Sequence, residues 1–472
     1  MTAAKQFPAA RPRVPAPQVG APASAQTRSA ALRASRERAI RLRTARRRGR
    51  QRLAVIVLAL LAATLLTLSL VGSSGPGSRA STTPTQGGRP APVATLSLRS
   101  DLASSMVIPG TLAALPLPST GEAAVVVGGI GLVGATKDER SVPVASVTKI
   151  MTAYLVLKDH PLVGLSGGPI FVMTAADYDH WMQAEESDES NLEVKVGERL
   201  DERQLLQALM IPSADNIADY LATWDAGSEK AFVAKMNATA AALHLLGTHF
   251  ADDSGVSPGS RGTAIGMARL AAVAMENPVL RSIVDEEFIK LPVDGEIWNT
   301  YDPAIGVDGI IGVKSGFTDA AGTNLVSAAW RSVGGHKVLV VCDVIGQQNS
   351  LWADAEENEA LLNAATGDLR LSTVVPSQAA VGEAFTGWNH DKSVVRLSRG
   401  ATVVAWPGLV LSPQFIPSPA PQSTPRHGWP AGYTIGDVEL QCPYGAEVGE
   451  PVVLQSAIHP PPAGWAPPAI VH

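Results

Sequence analysis

One segment divides this chain before anything else in it is read: Leu53 to Val71, LAVIVLALLAATLLTLSLV, nineteen residues without a charge. As a helix rising 1.5 Å per residue it is about 28 Å long, enough to cross a hydrocarbon core. A cleavable leader would start near the N-terminus and end at a small-residue cleavage site, so the fifty residues that precede this segment argue for an anchor instead. Residues 1–52 hold fourteen Lys and Arg against a single acid, Glu37, which leaves 24 basic and 42 acidic residues, a net −18, for the rest. The arginine run RLRTARRRGRQR, Arg41 to Arg52, keeps the N-terminus cytoplasmic and sends everything after the span outside. Because it abuts the span, it is read as a topogenic, lipid-facing tail, and no nucleic-acid partner is expected.

The remainder divides by composition. Residues 72–97 are mostly Gly, Ser, Thr and Pro, too poor in large apolar side chains to fold, and form a linker. Residues 98–371 mix strand and helix patterns. EAAVVVGGIGLVGAT gives two short β runs broken at Gly128 and Gly129, a hairpin. DERQLLQALMI reads as a helix with Asp201 and Gln204 spaced as a capping box and ended by Pro212. A helix opening at Ser228 is expected to stop at Gly247. GTNLVSAAW and HKVLVVCDVIG read as adjacent buried strands, and DAEENEALLNAA as a closing helix. Residues 372–458 switch to short β runs separated by Gly and Pro, a small β domain with a Pro-rich loop, and 459–472 are a Pro-rich tail. The two cysteines are too few for a disulfide framework; Cys342 reads as a buried thiol on a central strand, and a bridge to Cys442 stays open. The histidines are scattered, without zinc spacing.

Within the mixed region, ASVTKIMTAYLVL places apolar side chains at Val147, Ile150, Met151, Tyr154 and Leu155, which predicts a helix starting near Ser146. Ser146 and Lys149 then share a face one turn apart. Two readings stay open for the pair. Ser146 can cap the helix while Lys149 snorkels to solvent. Alternatively a desolvated lysine serves as base to a serine nucleophile, whose attack the positive end of the helix dipole favours. Downstream, LMIPSADNIADYLA holds Ser213 in a loop between helices, and GIIGVKSGFTDAAGTNLVSAAW puts Lys314, Ser315 and Gly316 on a strand.

A Ser-x-x-Lys, a serine loop and a Lys-Ser-Gly strand form the ordered triplet of penicillin-binding proteins and serine β-lactamases. VASVTKIMTAYLVL, LLQALMIPSADNIADYLA and GVKSGFTDAAGTNLVSAA resemble the D-alanyl-D-alanine carboxypeptidase family, over about residues 120–370. The resemblance implies an α/β (α+β) fold: a penicillin-binding, serine β-lactamase-like domain with a five-stranded antiparallel sheet flanked by helices, followed by the small C-terminal β domain and preceded by the transmembrane helix. It implies release of the terminal D-Ala from peptidoglycan stem peptides through an acyl-enzyme, inhibition by β-lactams, and neither cofactor nor metal.

Carried over by position, Ser146 is the nucleophile, Lys149 its base, and Ser213 the proton relay to the leaving amine. Lys314 supplies positive charge, the Ser315 and Thr318 hydroxyls meet the substrate's terminal carboxylate, Gly316 admits the substrate backbone, and the backbone N–H groups of Ser146 and Phe317 form the oxyanion hole. One departure carries chemistry. Asp215 stands where the family has Asn, and a carboxylate cannot donate the amide hydrogen bond; it can pair with Lys149 or Lys314, or Asn216 can replace it by a one-residue shift. A second function class therefore stays open, a catalytically impaired module that binds cell wall or acts as a scaffold. GVSPG, Gly255 to Gly259, imitates a hydrolase elbow, but Pro258 has no N–H to give an oxyanion, so the segment is a structural loop near the site. AEESDES, Ala184 to Ser190, reads as a solvated acidic loop.

Overall fold

Alternation along buried strands organises the molecule. The computed structural model describes residues 96–463 apart from 138, 300–304, 349, 389–390 and 419–426. The basic tail, Leu53–Val71, most of the linker and the end of the Pro-rich tail lie outside the described residues. Among the described residues no helix is long and apolar enough to cross a membrane.

The central sheet is built from β1 (Glu122–Val127), β2 (Gly131–Ala135), β3 (Ile310–Thr318), β4 (Gly322–Val333) and β5 (His336–Gln347). It is antiparallel throughout, in the order β3-β4-β5-β1-β2. The β1–β2 hairpin turns through Gly129, at φ 73°. Because successive side chains point to opposite faces, β1 feeds two cores. Ala124 and Val126 join the helical core, whereas Ala123, Val125 and Val127 face the closing helix and the C-terminal β strands.

Six helices matter for the site and its supports: α1 (Lys149–Asp159), α2 (Glu202–Met210), α3 (Asp215–Ala226), α4 (Glu229–Ala242), α5 (Ala264–Ala274) and α6 (Leu351–Asp368). The expected capping box opens α2: Asp201 Oδ1 accepts from Gln204 N at 2.8 Å, and Gln204 Oε1 accepts from Asp201 N at 2.9 Å. Helix α4 is capped by Ser228 as expected but ends at Ala242, ahead of Gly247. The chain turns there through His244, which takes φ 53° itself, so the glycine was not needed as the stop. Cys342 is buried in β5, where burial pushes its thiol pKa up, and no disulfide joins it to Cys442.

The sheet count exceeds the expected one. Besides the five-stranded sheet, the described residues hold a seven-stranded sheet and four two-stranded ribbons. The seven-stranded sheet draws five strands from residues 380–454 and two from far upstream, Ser97–Ser100 and Met106–Val107. Ser97–Ser100 pairs with Ala380–Phe385, and Met106–Val107 with Val410–Pro417. Such pairings across most of the chain leave no local mark in either partner. The Pro-rich segment opening at Ser412, expected as a loop, also begins as strand, since Ser412–Pro417 pairs with Gly436–Gln441.

Candidate active site

The chain enters α1 through a 3-10 turn, Ala145–Thr148, and not directly at Ser146. Ala145 holds φ 47°, a left-handed conformation that side chains other than glycine rarely adopt and that clusters at functional sites. The turn leaves Ser146 half-buried at the surface while Lys149, at the first position of α1, is 0% exposed. A fully buried lysine needs partners for every N–H it carries. Lys149 Nζ lies 3.0 Å from Ser146 Oγ, 2.5 Å from Asp215 Oδ1 and 2.8 Å from the Ser254 carbonyl oxygen.

Three acceptors around one nitrogen can be counted in two ways. An ammonium donates to all three. A neutral amine has two N–H groups, which Asp215 and the Ser254 carbonyl occupy, and its lone pair then faces the Ser146 hydroxyl. The second arrangement is that of a general base.

Asp215 is the first residue of α3 and is buried. Burial pushes its carboxyl pKa up, opposed by the Lys149 charge and hydrogen bond and by Lys314. Asn216, proposed as its substitute, is turned away from the lysine. Its Oδ1 accepts from Leu192 N and its Nδ2 donates to Leu192 O, both at 3.0 Å. One residue along a helix rotates a side chain by about 100°, so a one-residue shift could not bring the amide to the same place.

Two glycines press backbone against the Ser146 turn. Gly255 has φ +90°, and a Cβ there would lie 1.8 Å from the Ala145 carbonyl oxygen. No other residue could occupy that position. Gly316 sits on β3, at the edge of the central sheet, and its Cβ would lie 2.8 Å from Ser146 N and 3.0 Å from Ala145 Cβ. The missing side chain thus serves first to let the strand meet the serine turn.

The remaining predicted residues surround this junction. Ser213 is buried in the loop before α3 at φ 70°, and its Oγ has no hydrogen-bond partner among the described residues. The Oγ of buried Ser315 is likewise unpartnered. Lys314 is buried, its Nζ donating to the Ser315 carbonyl oxygen at 3.0 Å. Thr318 Oγ1 accepts from Ala321 N at 3.1 Å, and Phe317 is 61% exposed. The outer edge of β3, without a strand partner among the described residues, can take an extended peptide as a further strand beside the serine.

Sequence reasoning placed the segment around Gly255 near the site but missed what it contributes, the Ser254 carbonyl that holds Lys149 and the Asp253 carbonyl that accepts from Thr152 Oγ1 at 2.6 Å. The signal was there in Asp-Asp-Ser-Gly, where a glycine follows three polar residues directly after Phe250 and Ala251.

A serine and a buried lysine one turn apart, closed by a sheet edge carrying Lys-Ser-Gly, define an acyl-transfer enzyme of the penicillin-binding class. The sequence model of peptidase S11, D-alanyl-D-alanine carboxypeptidase, matches residues 122–346. The chain is 33% identical over 210 residues to the D-alanyl-D-alanine carboxypeptidase of Streptomyces sp. K15, covering 41% of this chain and 69% of the relative. It is 28% identical to the carboxypeptidase DacD of Escherichia coli, covering 65% of this chain and 74% of the relative. To DacB2 of Mycobacterium tuberculosis it is 38% identical over 153 residues, 31% of this chain and about half (52%) of that relative's length.

Two solved structures share the fold: DacD from Francisella tularensis, with a TM-score of 0.50 at 20% identity, and penicillin binding protein 5 from Haemophilus influenzae, with 0.53 at 16%. The first covers 75% of this chain and 96% of its own, the second 74% and 100%. The chain belongs to the D-alanyl-D-alanine carboxypeptidase family of serine peptidases.

Proposed function

We propose that this protein removes the terminal D-Ala from peptidoglycan stem peptides through an acyl-enzyme on Ser146. The observation that carries the reading is the three-acceptor environment of buried Lys149, with Ser146 Oγ 3.0 Å away. Lys149 takes the hydroxyl proton as Oγ bonds to the carbonyl carbon of the penultimate D-Ala. The N–H groups of Ser146 and Phe317 receive the oxyanion. As the tetrahedral intermediate collapses, the C–N bond breaks and the departing amine takes a proton relayed through Ser213 Oγ. Water then hydrolyses the ester, giving up its proton to Lys149. Lys314, Ser315 and Thr318 hold the substrate's carboxylate, and β-lactams react as substrate mimics whose ester turns over slowly.

The same geometry gives the second reading its basis. If the Asp215 carboxylate keeps Lys149 as an ammonium, the serine has no base, and the protein is a wall-binding module. Burial favours the enzyme reading, because it raises the carboxyl pKa and so lets the pair exist as amine and carboxylic acid. Release of D-Ala from a stem peptide ending in D-Ala-D-Ala separates the two. The enzyme releases it and the Ser146→Ala variant does not; a wild type that binds the peptide but leaves it intact is the module.

The uncharged segment Leu53–Val71 and the arginines ahead of it support an anchor with the N-terminus in the cytoplasm and the site on the outer face, where its substrate lies. Protease added to intact cells should then remove the folded part and spare the basic tail.

A further inference from the structure

Behind Lys149 lies a second group of acids that the reaction does not use. Asp219 stands on α3 one turn beyond Asp215, Glu229 opens α4, and Asp253 belongs to the loop whose carbonyls hold Lys149 and Thr152. One carboxylate oxygen from each lies within 4.8 Å of the other two. Charge repulsion alone would drive three such groups apart unless something compensates it.

Asp253 shows what is missing. It is fully buried, and neither of its oxygens meets a hydrogen-bond donor among the described residues. Its neighbour Asp252 is the contrast: it accepts from Gly255 N at 3.0 Å, Ser257 N at 2.7 Å and the Ser260 hydroxyl. A loop that surrounds one carboxylate with donors and turns the next toward two further carboxylates gathers negative charge that a bound cation would neutralise. The cationic partner described at the cluster is the half-exposed His180, whose Nε2 lies 2.9 Å from Asp219 Oδ2, on a second oxygen of that group or shared with it. Glu189 and Asp177 lie around His180 and add negative charge.

We propose that Asp219, Glu229 and Asp253 bind a divalent cation, Ca²⁺ in preference to Mg²⁺, that fixes the loop behind Lys149. The donor set is all oxygen, which selects a hard cation over zinc or copper. Three carboxylates on one ion exceed the one or two that Mg²⁺ usually takes from a protein, whereas Ca²⁺ accepts about six to eight oxygens in a flexible shell. One ligand from each of α3, α4 and the loop would tie together three elements that meet beside the catalytic lysine. With no ion bound, burial, the charge and hydrogen bond of Asp219, and the charges of Glu229 and Asp252 push Asp253 up to about 9, so a proton shared with Asp219 is the competing means of neutralising it.

Calorimetric titration of the chelator-treated full chain with CaCl₂, MgCl₂ and MnCl₂ decides between ion and proton. One Ca²⁺ per chain, bound at least tenfold more tightly than Mg²⁺, is expected. Asp253→Asn should weaken it at least tenfold. Because Asp253 is buried, Glu229→Gln at an exposed position is the second variant, and it should weaken Ca²⁺ several-fold in a fully folded protein. Absence of stoichiometric binding of any of the three ions, or binding unchanged in both variants, overturns the proposal and leaves a protonated Asp253. The readout is independent of D-Ala release, so an inactive protein that binds Ca²⁺ would sink the enzyme reading and not this one.

Discussion

Replacing Asp215 by Asn removes one charge from a buried pair and leaves the shape nearly intact. At 2.5 Å, with an effective dielectric constant near 20, the attraction between unit charges is roughly 6–7 kcal/mol. Three effects reduce what the substitution loses. Asp215 is itself shifted toward its protonated form, an amide oxygen still accepts from Nζ, and the Ser254 carbonyl 2.8 Å away is untouched. About 3 kcal/mol remains, in line with the loss of one partner from a buried pair. Acylation by a penicillin, followed by stopped-flow fluorescence across pH 5–10, should therefore reach half its maximum at a lower pH in Asp215→Asn. Asp215→Ala, which also deletes the acceptor, should lose stability by about 3–5 kcal/mol. A pH profile unchanged by Asp215→Asn would refute the claim that this carboxylate governs the proton of Lys149.

Other consequences are simpler to read. In Gly316→Ala the new methyl meets Ser146 N, and acylation should fall on the order of 100-fold, measured by label incorporation, while the fold is retained. Gly255→Ala forces a side chain into the Ala145 carbonyl at φ +90°, and thermal unfolding should show a loss of several kcal/mol or no folded protein. Glu202, buried in the first turn of α2, has its carboxyl pKa pushed up to about 7 by burial. The folded state then binds more protons than the unfolded chain between about pH 4.5 and 7, so stability contributed by this group falls as pH rises through that window. Glu202→Gln should accordingly be more stable than wild type at pH 8 and equal to it at pH 4, as read by chemical denaturation.

What the sequence disclosed was local. The Asp201–Gln204 box, the Gly128–Gly129 turn and the Ser146–Lys149 spacing each lie within a few residues and carry their own physical signature. The pairing of Lys149 with Asp215, 66 residues away, was one of several open choices, and only folding selected it over Lys314 or Asn216. The contribution of Ser254 was hidden for another reason: a backbone carbonyl donates its chemistry whatever the side chain is. Gly316 was read as room for substrate, yet its nearest neighbours are the serine turn's own atoms. The strands Ser97–Ser100 and Met106–Val107 were invisible because strands this short acquire identity from their partners.

The central claim is that Ser146 Oγ, activated by Lys149, becomes the acylated atom. Peptide mapping by mass spectrometry after exposure to benzylpenicillin tests it most directly. A single penicilloyl adduct on the peptide containing Ser146, absent in Ser146→Ala and strongly slowed in Lys149→Ala, is predicted. An adduct on any other residue, or D-Ala release that survives in Ser146→Ala, would contradict it.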